Sequence, residues 1–312
     1  MSDESDVWTV KRVLGWAADD LRARGNESPR LEAELLLAQT LDLTRIGLVL
    51  AHDRPLEKEE LATYRALHVR RRNGEPVAYL RKMREFYGRP FRVDKRVLVP
   101  RPETELLVEV GLARTRDASL SARILDLCTG SGCVAITLAK ERPTTRVLGT
   151  DISEEALVVA RDNAVRLGAL PSVSFRCSDL FDDLGPSLED DGEGRGGFDL
   201  VTANPPYIPA GDRDGLPRSI VEFEPHVALF GGDDGMVVTN RIIDEAPGFL
   251  ATRGILAMEI GAEQSRTVAQ RLAIRGFQDI EIRQDYAGIE RIVSARWLGE
   301  EVGAKSDSSG PA

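Results

Sequence analysis

Polar and apolar positions along this chain follow two different periods. Near the start, Val10, Val13, Leu14 and Ala17 recur at the three- and four-residue spacing of one helix face, and the run stops near Gly25. Ser28 then offers an N-cap and Pro29 a first helical residue for a second helix carrying Leu31, Leu35, Leu36 and Leu37. Another helix is predicted over 58–72, stopped by Asn73-Gly74. Over 86–99 the pattern alternates around Gly88-Arg89-Pro90, which predicts a β-hairpin.

Farther along, short apolar runs alternate with helical stretches. Strands are predicted at 123–127, 146–150, 173–176, 198–203 and 254–260, and a helix at 134–140. This is the pattern of a doubly wound α/β domain. The last runs, 278–283 and 289–297, lie close enough in sequence to form an antiparallel pair. The expected organisation is a helical substrate-recognition domain over 1–85, a β-hairpin linker over 86–102, an α/β domain over 103–298 and a disordered tail over 299–312. Residues 182–197, rich in Asp, Glu and Gly, are expected to form a flexible surface insertion.

The chemistry concentrates at two strand ends. After the apolar run 198–203 the chain reads Asn204-Pro205-Pro206-Tyr207. Both prolines have fixed φ and no N–H, and Asn204 and Pro205, each preceding a proline, are held extended. The Asn204 side-chain oxygen and the Pro205 carbonyl are thereby expected to point outward as two adjacent acceptors. Such a pair suits a planar NH2 group, on an amide or on adenine; the plainer alternative is a turn that merely ends a buried strand. The other strand end, after residues 123–127, is the loop Cys128-Thr129-Gly130-Ser131-Gly132-Cys133, whose glycines allow a ligand to approach the backbone. Asp151 follows the glycines by about twenty residues at the end of the next strand, a place that suits ribose hydroxyls. Gly130-x-Gly132-x-x-Ala135 also fits a dinucleotide fingerprint, but the NH2-gripping turn favours S-adenosylmethionine over NAD.

The chain resembles the HemK/PrmC family of protein-glutamine N5-methyltransferases over most of its length. The matching segments include residues 74–80, Arg84-Glu85-Phe86-Tyr87, Val99-Pro100-Arg101-Pro102-Glu103-Thr104-Glu105, the glycine loop, Asn204 to Tyr207, Phe223-Glu224-Pro225 and Gly231-Gly232-Asp233-Asp234-Gly235. Asn-Pro-Pro-Tyr is shared with many amino-methyltransferases, whereas Pro-Arg-Pro-Glu-Thr-Glu is far more specific. Two positions depart from the family pattern. Cys128 stands where a glycine is frequent, as in the sister enzymes acting on a large-subunit ribosomal protein, and Arg81-Lys82 replaces Thr-Gly in what is expected to be only a loop.

The resemblance implies an α/β, Rossmann-like methyltransferase domain, seven-stranded with the last strand pair antiparallel, preceded by a small α-helical domain. It implies S-adenosylmethionine as cofactor and S-adenosylhomocysteine as product. Cys128, Thr129, Gly130, Ser131 and Gly132 would line the methionine end, Asp151 the ribose, and Asp179 and Leu180 the adenine, and Asn204 would also contact the cofactor. Asn204, Pro205, Pro206 and Tyr207 would bind the substrate amide; Asn204, Pro205 and Tyr207 are the catalytic candidates. The implied substrate is the Gly-Gly-Gln glutamine of class I peptide chain release factors. A ribosomal-protein glutamine is the alternative, and a DNA adenine-N6 methyltransferase a rival of another class. The latter would need a target-recognition domain and a basic face.

Composition narrows the remainder. The net charge of −10 opposes binding to a polyanion. The three cysteines, Cys128, Cys133 and Cys177, show no ligand or disulfide spacing, and a reducing cytoplasmic setting is expected. No apolar stretch reaches the roughly 18 residues of a membrane span, and the acidic start lacks a signal peptide's basic region. Lone His52, His68 and His226 read as structural, so no metal is expected, and a monomer is. Arg70-Arg71-Arg72 reads as a solvated helix end, and Asp19-Asp20 and Glu59-Glu60 as solvated helix faces.

Overall fold

The computed structural model describes residues 7–117, 121–184 and 197–299. In chain order the helices α1 (Val10–Ala23), α2 (Pro29–Leu41), α3 (Arg45–Leu50), α4 (Lys58–Arg72) and α5 (Val77–Arg81) precede strands β1 (Arg84–Phe86) and β2 (Arg89–Phe91). There follow α6 (Glu105–Arg114), β3 (Arg123–Leu127), α7 (Cys133–Glu141), β4 (Arg146–Asp151), α8 (Glu154–Arg166), β5 (Val173–Cys177) and β6 (Phe198–Ala203). The short α9 (Arg218–Val221), α10 (Val237–Glu245), β7 (Leu250–Glu259), α11 (Ser265–Arg275), β8 (Gln278–Gln284) and β9 (Glu290–Arg296) complete the described chain. It divides into two compact units, 7–100 with 211–229, and 101–210 with 230–299.

In the first unit, Val10, Val13, Leu14 and Ala17 of α1 share one core with Leu36, Leu37, Leu48, Tyr64 and Leu80. Ser28 makes no side-chain cap bond: its φ of −126° and ψ of 53° leave the extended backbone that aims a cap at the next amides. Arg70 and Arg72 are solvated as expected, yet all three arginines of the run also form ion pairs, and Arg71 is largely withdrawn from solvent. Arg70 holds Glu75, Arg71 holds Glu32 and Asn26, and Arg72 holds Asp20. Asp20 also meets the buried His68 Nε2 at 2.9 Å, so it belongs to this network, while Asp19 pairs with Arg22 on the surface. Glu60 is likewise committed, accepting from Glu57 N at 2.9 Å and from Arg54 at 2.6 Å. Spacing along one helix does not reveal partners contributed by another.

The hairpin is shorter than expected. Glu85 pairs with Pro90 and Phe86 with Arg89, so the turn is Tyr87-Gly88, with φ of 51° and 69°. Arg89 and Pro90 already belong to β2, where a two-stranded ribbon tolerates a missing N–H. Lys82 is no plain loop residue; it caps α5 in the left-handed region, φ 55°, where glycine is usual. Glu224 is buried and accepts the backbone N–H of Val99 at 3.1 Å, which gives Phe223-Glu224-Pro225 a structural task inside this unit.

The second unit is a seven-stranded sheet in the order β5-β4-β3-β6-β7-β9-β8. Every neighbouring pair from β5 to β7 is parallel, and β9 runs antiparallel to both β7 and β8. Leu125, Leu127, Val201, Ala203, Leu256, Met258 and Val293 fill the core beneath the helices. β7 begins at Leu250, earlier than its apolar run, because Leu250 pairs with Phe198. Chain order reverses beside β3: β4 and β5 extend one way and β6 the other. Leu127 lies opposite Ala203 in register, so the loop after β3 and the turn after β6 leave the sheet side by side. Open α/β sheets bind ligands at that switch point. Of the acidic segment 182–197, Asp182 and Asp183 lie in a turn and Leu184 is buried, and 185–196 lie outside the described residues, as do 300–312 of the tail.

Candidate active site

The loop after β3 is built from beneath. Asp126, wholly buried in β3, accepts from Thr129 Oγ1 at 2.6 Å and from Thr202 Oγ1 of β6 at 2.7 Å. Burial pushes its carboxyl up to about 6, against the two threonine bonds that hold it down. Thr129 N donates to Thr150 O at 2.9 Å, Gly132 N to Thr129 O at 2.8 Å, and Asn163 Nδ2 to Ser131 O at 2.9 Å. Gly132 has φ 78°, and a Cβ there would press on Ala160 and Phe175 at 3.2 Å. A Cβ on Gly130 would meet nothing within 4 Å, so that stretch of backbone faces open space. Cys128 adopts φ 53°, the left-handed region that favours glycine, consistent with the glycine that the family resemblance implies there. Its thiol is raised well above the ordinary value by burial and then by Asp151, and Cys133 is pushed up to about 12, so neither is a thiolate nucleophile.

Asp151 ends β4 as expected, half-buried, with its carboxyl raised by burial. Its Oδ2 accepts from Gly130 N and its Oδ1 from Ser153 N, each at 2.9 Å. Asp179, after β5, pairs with Arg241 at 2.9 Å, and Leu180 is buried with φ 52°. An open backbone loop, a half-buried carboxylate with lone pairs to spare and an apolar neighbour fit a nucleoside bearing an amino-acid tail.

In the turn after β6, Pro205 and Pro206 are buried and Asn204 and Tyr207 half-buried. The Gly231-Gly232-Asp233-Asp234-Gly235 segment clamps it. Gly231 N donates to Ile208 O at 2.9 Å, Ala210 N to Gly232 O at 2.9 Å, and Gln264 Nε2 to Tyr207 O at 3.0 Å. Cβ atoms on Gly231 or Gly235 would collide with the carbonyl oxygens of Pro206 and Tyr207, so only glycine admits this approach. Asn204 Nδ2 donates to Thr104 Oγ1 at 3.3 Å. Among the described residues no donor reaches Asn204 Oδ1 or the Pro205 carbonyl oxygen.

Two residues here escaped the sequence reading. Thr104 Oγ1 donates to Glu259 Oε2 at 2.6 Å, and Tyr207 Oη donates to Glu259 Oε1 at 3.3 Å. Glu259 is 1% exposed at the end of β7, and burial pushes its carboxyl up to about 7. The Tyr207 hydroxyl is raised by burial and then by Glu259. Thr104 stood inside a recognised motif without a role. Glu259 had one available signal, a carboxylate ending an otherwise apolar strand run. Among the described residues no group of three or more His, Cys, Asp or Glu is placed to hold a metal, and no helix is long and apolar enough to cross a membrane.

Sheet order, glycine loop and acceptor turn together define a Rossmann-like methyltransferase. Residues 119–280 match the family described as a methyltransferase domain, and residues 12–81 match the PrmC N-terminal domain. A release factor glutamine methyltransferase of Geobacter sulfurreducens is 40% identical over 296 residues, covering 95% of this chain and 99% of the relative. One from Rhodopirellula baltica is 41% identical over 294 residues, covering 92% and 96%. The chain belongs to the release factor glutamine methyltransferase family. The solved hMettl16 catalytic domain, in complex with MAT2A 3′UTR hairpin 6, shares the fold with a TM-score of 0.54 at 15% identity, over 75% of this chain and 83% of that one.

Proposed function

We propose that this protein transfers a methyl group from S-adenosylmethionine to the side-chain amide nitrogen of the glutamine in the Gly-Gly-Gln motif of class I peptide chain release factors. The observation that carries the reading is the pair of acceptors, Asn204 Oδ1 and Pro205 O, that no donor reaches among the described residues, in a chain whose near-full-length relatives are named for that activity. When bound, the cofactor supplies an electrophilic methyl group on a sulfonium. Residues 128–132 line its methionine end, Asp151 takes the ribose, and Asp179 and Leu180 flank the adenine. The product is S-adenosylhomocysteine.

An amide nitrogen is a poor nucleophile because its lone pair is delocalised into the carbonyl. Asn204 Oδ1 and Pro205 O accept its two N–H bonds, which aims the nitrogen and favours the positive charge that develops there. The nitrogen becomes acidic only as the new bond forms, and the proton it then sheds passes to water, so no strong base is required. The Tyr207 ring packs on the amide plane, and near the sulfonium it adds a cation–π attraction of about 1 kcal/mol. The helical N-terminal part grips the protein partner, and the enzyme works as a monomer in the cytoplasm beside the translation machinery.

Incubation with labelled S-adenosylmethionine and purified translation proteins, followed by mapping of the modified residue, tests this. Label is expected on the release-factor glutamine and is lost when that Gln becomes Ala. Label on a ribosomal protein alone would overturn the substrate and leave the chemistry standing.

A further inference from the structure

We infer that Glu259 is a positioning residue that sets, through Thr104, which atom of the Asn204 amide faces the substrate. The inference deepens the reading above and rests on its assignment of Asn204 as an acceptor. Three distances carry it. Thr104 Oγ1 lies 2.6 Å from Glu259 Oε2, Asn204 Nδ2 lies 3.3 Å from Thr104 Oγ1, and Tyr207 Oη lies 3.3 Å from Glu259 Oε1.

A threonine hydroxyl has one proton to give, and a carboxylate can only accept. While Glu259 is ionised, the Thr104 proton is committed to it in a short, charge-assisted bond. The Thr104 oxygen is then left as an acceptor, and only the NH2 end of Asn204 satisfies it. The amide is locked with Nδ2 inward and Oδ1 outward, the polarity that receives a substrate N–H. A proton placed on Glu259 Oε2 reverses the relay: the carboxyl donates to Thr104, the hydroxyl turns to donate to Asn204, and the amide flips. Nδ2 then faces the substrate NH2, donor against donor.

Burial favours the neutral form of Glu259. Arg291 on β9 opposes that, as do the hydroxyls of Thr104 and Tyr207, while Glu103 favours the neutral form. Cys133 at the start of α7 also feels the charge of Glu259, as a thiol rather than a thiolate. The carboxyl therefore titrates close to pH 7, where the relay changes sense.

The test uses the full chain with a Gly-Gly-Gln protein. Wild-type kcat is expected to fall as pH drops through about 7. Glu259→Gln cannot change charge and should lose that acid limb while cofactor affinity stays within a few fold. Thr104→Val should lower kcat about 10²-fold, the scale for one misplaced transition-state contact, and Thr104→Ser should restore most of it. The Asn204 side-chain NH2 resonance, identified by its loss in Asn204→Asp, should shift with the same midpoint in wild type and stay flat in Glu259→Gln. An acid limb and a titrating resonance that both survive in Glu259→Gln would overturn the relay, as would a Thr104→Val enzyme with wild-type rate. The resonance needs no substrate, so it decides the relay even if release factors prove not to be methylated.

Discussion

Gly130 donates its backbone N–H to Asp151 Oδ2 at 2.9 Å, tying the loop after β3 to the end of β4. The residue expected to hold a ribose therefore also holds the loop proposed to line the cofactor. Asp151→Ala is expected to weaken S-adenosylmethionine binding by about 1.5–3 kcal/mol, the scale for a lost charge-assisted bond. Asp151→Asn keeps an acceptor for Gly130 and should lose less. Calorimetry giving both variants wild-type affinity would remove Asp151 from the site.

Asn204→Ala should reduce kcat by about 10²–10³ while cofactor affinity changes only a few fold, because it removes an acceptor used most in the transition state. A single-turnover assay with saturating cofactor reads this directly. Near-full activity would show that Asn204 does not hold the acceptor amide.

Glu259 and Asp126 also make a claim about stability. Burial raises both, to about 7 and about 6, so the folded protein holds these protons more tightly than the unfolded chain. Their stabilising contribution is complete below the ordinary carboxylate values of 4.5 and 3.8 and is lost as pH rises through about 6 to about 7. Glu259→Gln removes its share, on the order of 3 kcal/mol accumulated as pH rises from 4.5 to about 7. Urea unfolding at pH 5 and pH 8 should show the wild type losing more stability than Glu259→Gln; equal losses would refute the raised carboxyl.

Gly235 stands with φ 72° against the Tyr207 carbonyl, with no room for a Cβ. Gly235→Ala should displace the acceptor turn and lower kcat at least about tenfold, since misplacement near 1 Å costs that order or more. Gly248→Ala, where a Cβ meets nothing within 4 Å, is the matched control. Circular dichroism on both separates displacement from unfolding, and equal kcat in the two variants would count against the clamp.

The strands and their order of appearance were legible because each is a short apolar run closed by turn residues: 123–127 and 198–203 match β3 and β6 residue for residue. The glycine loop, Asp151 and the Asn-Pro-Pro-Tyr turn were legible for the same reason, since glycine, proline and a carboxylate at a strand end act through local backbone geometry. Ser28 looked like a cap and is not one, because a cap needs a backbone angle that the residue type only favours. Arg71 looked solvated and is half-buried against Glu32, and Arg72 pairs with Asp20, because those partners sit on other stretches of chain.

The sequence by itself determined where each strand hands over to a loop, and which of those loops turn on glycine or proline. It could not say that Thr104 reaches Glu259, or that the hydroxyls of Thr129 and Thr202 converge on Asp126. Those bonds join residues up to 155 positions apart, and side-chain partners at such range are chosen by sheet order and register. Tertiary structure alone decided that two carboxylates would be buried beneath the site, one under the glycine loop and one behind the acceptor turn. The reason is physical: a carboxylate's properties follow from its solvation and its hydrogen-bond donors, and neither is set by its neighbours along the chain.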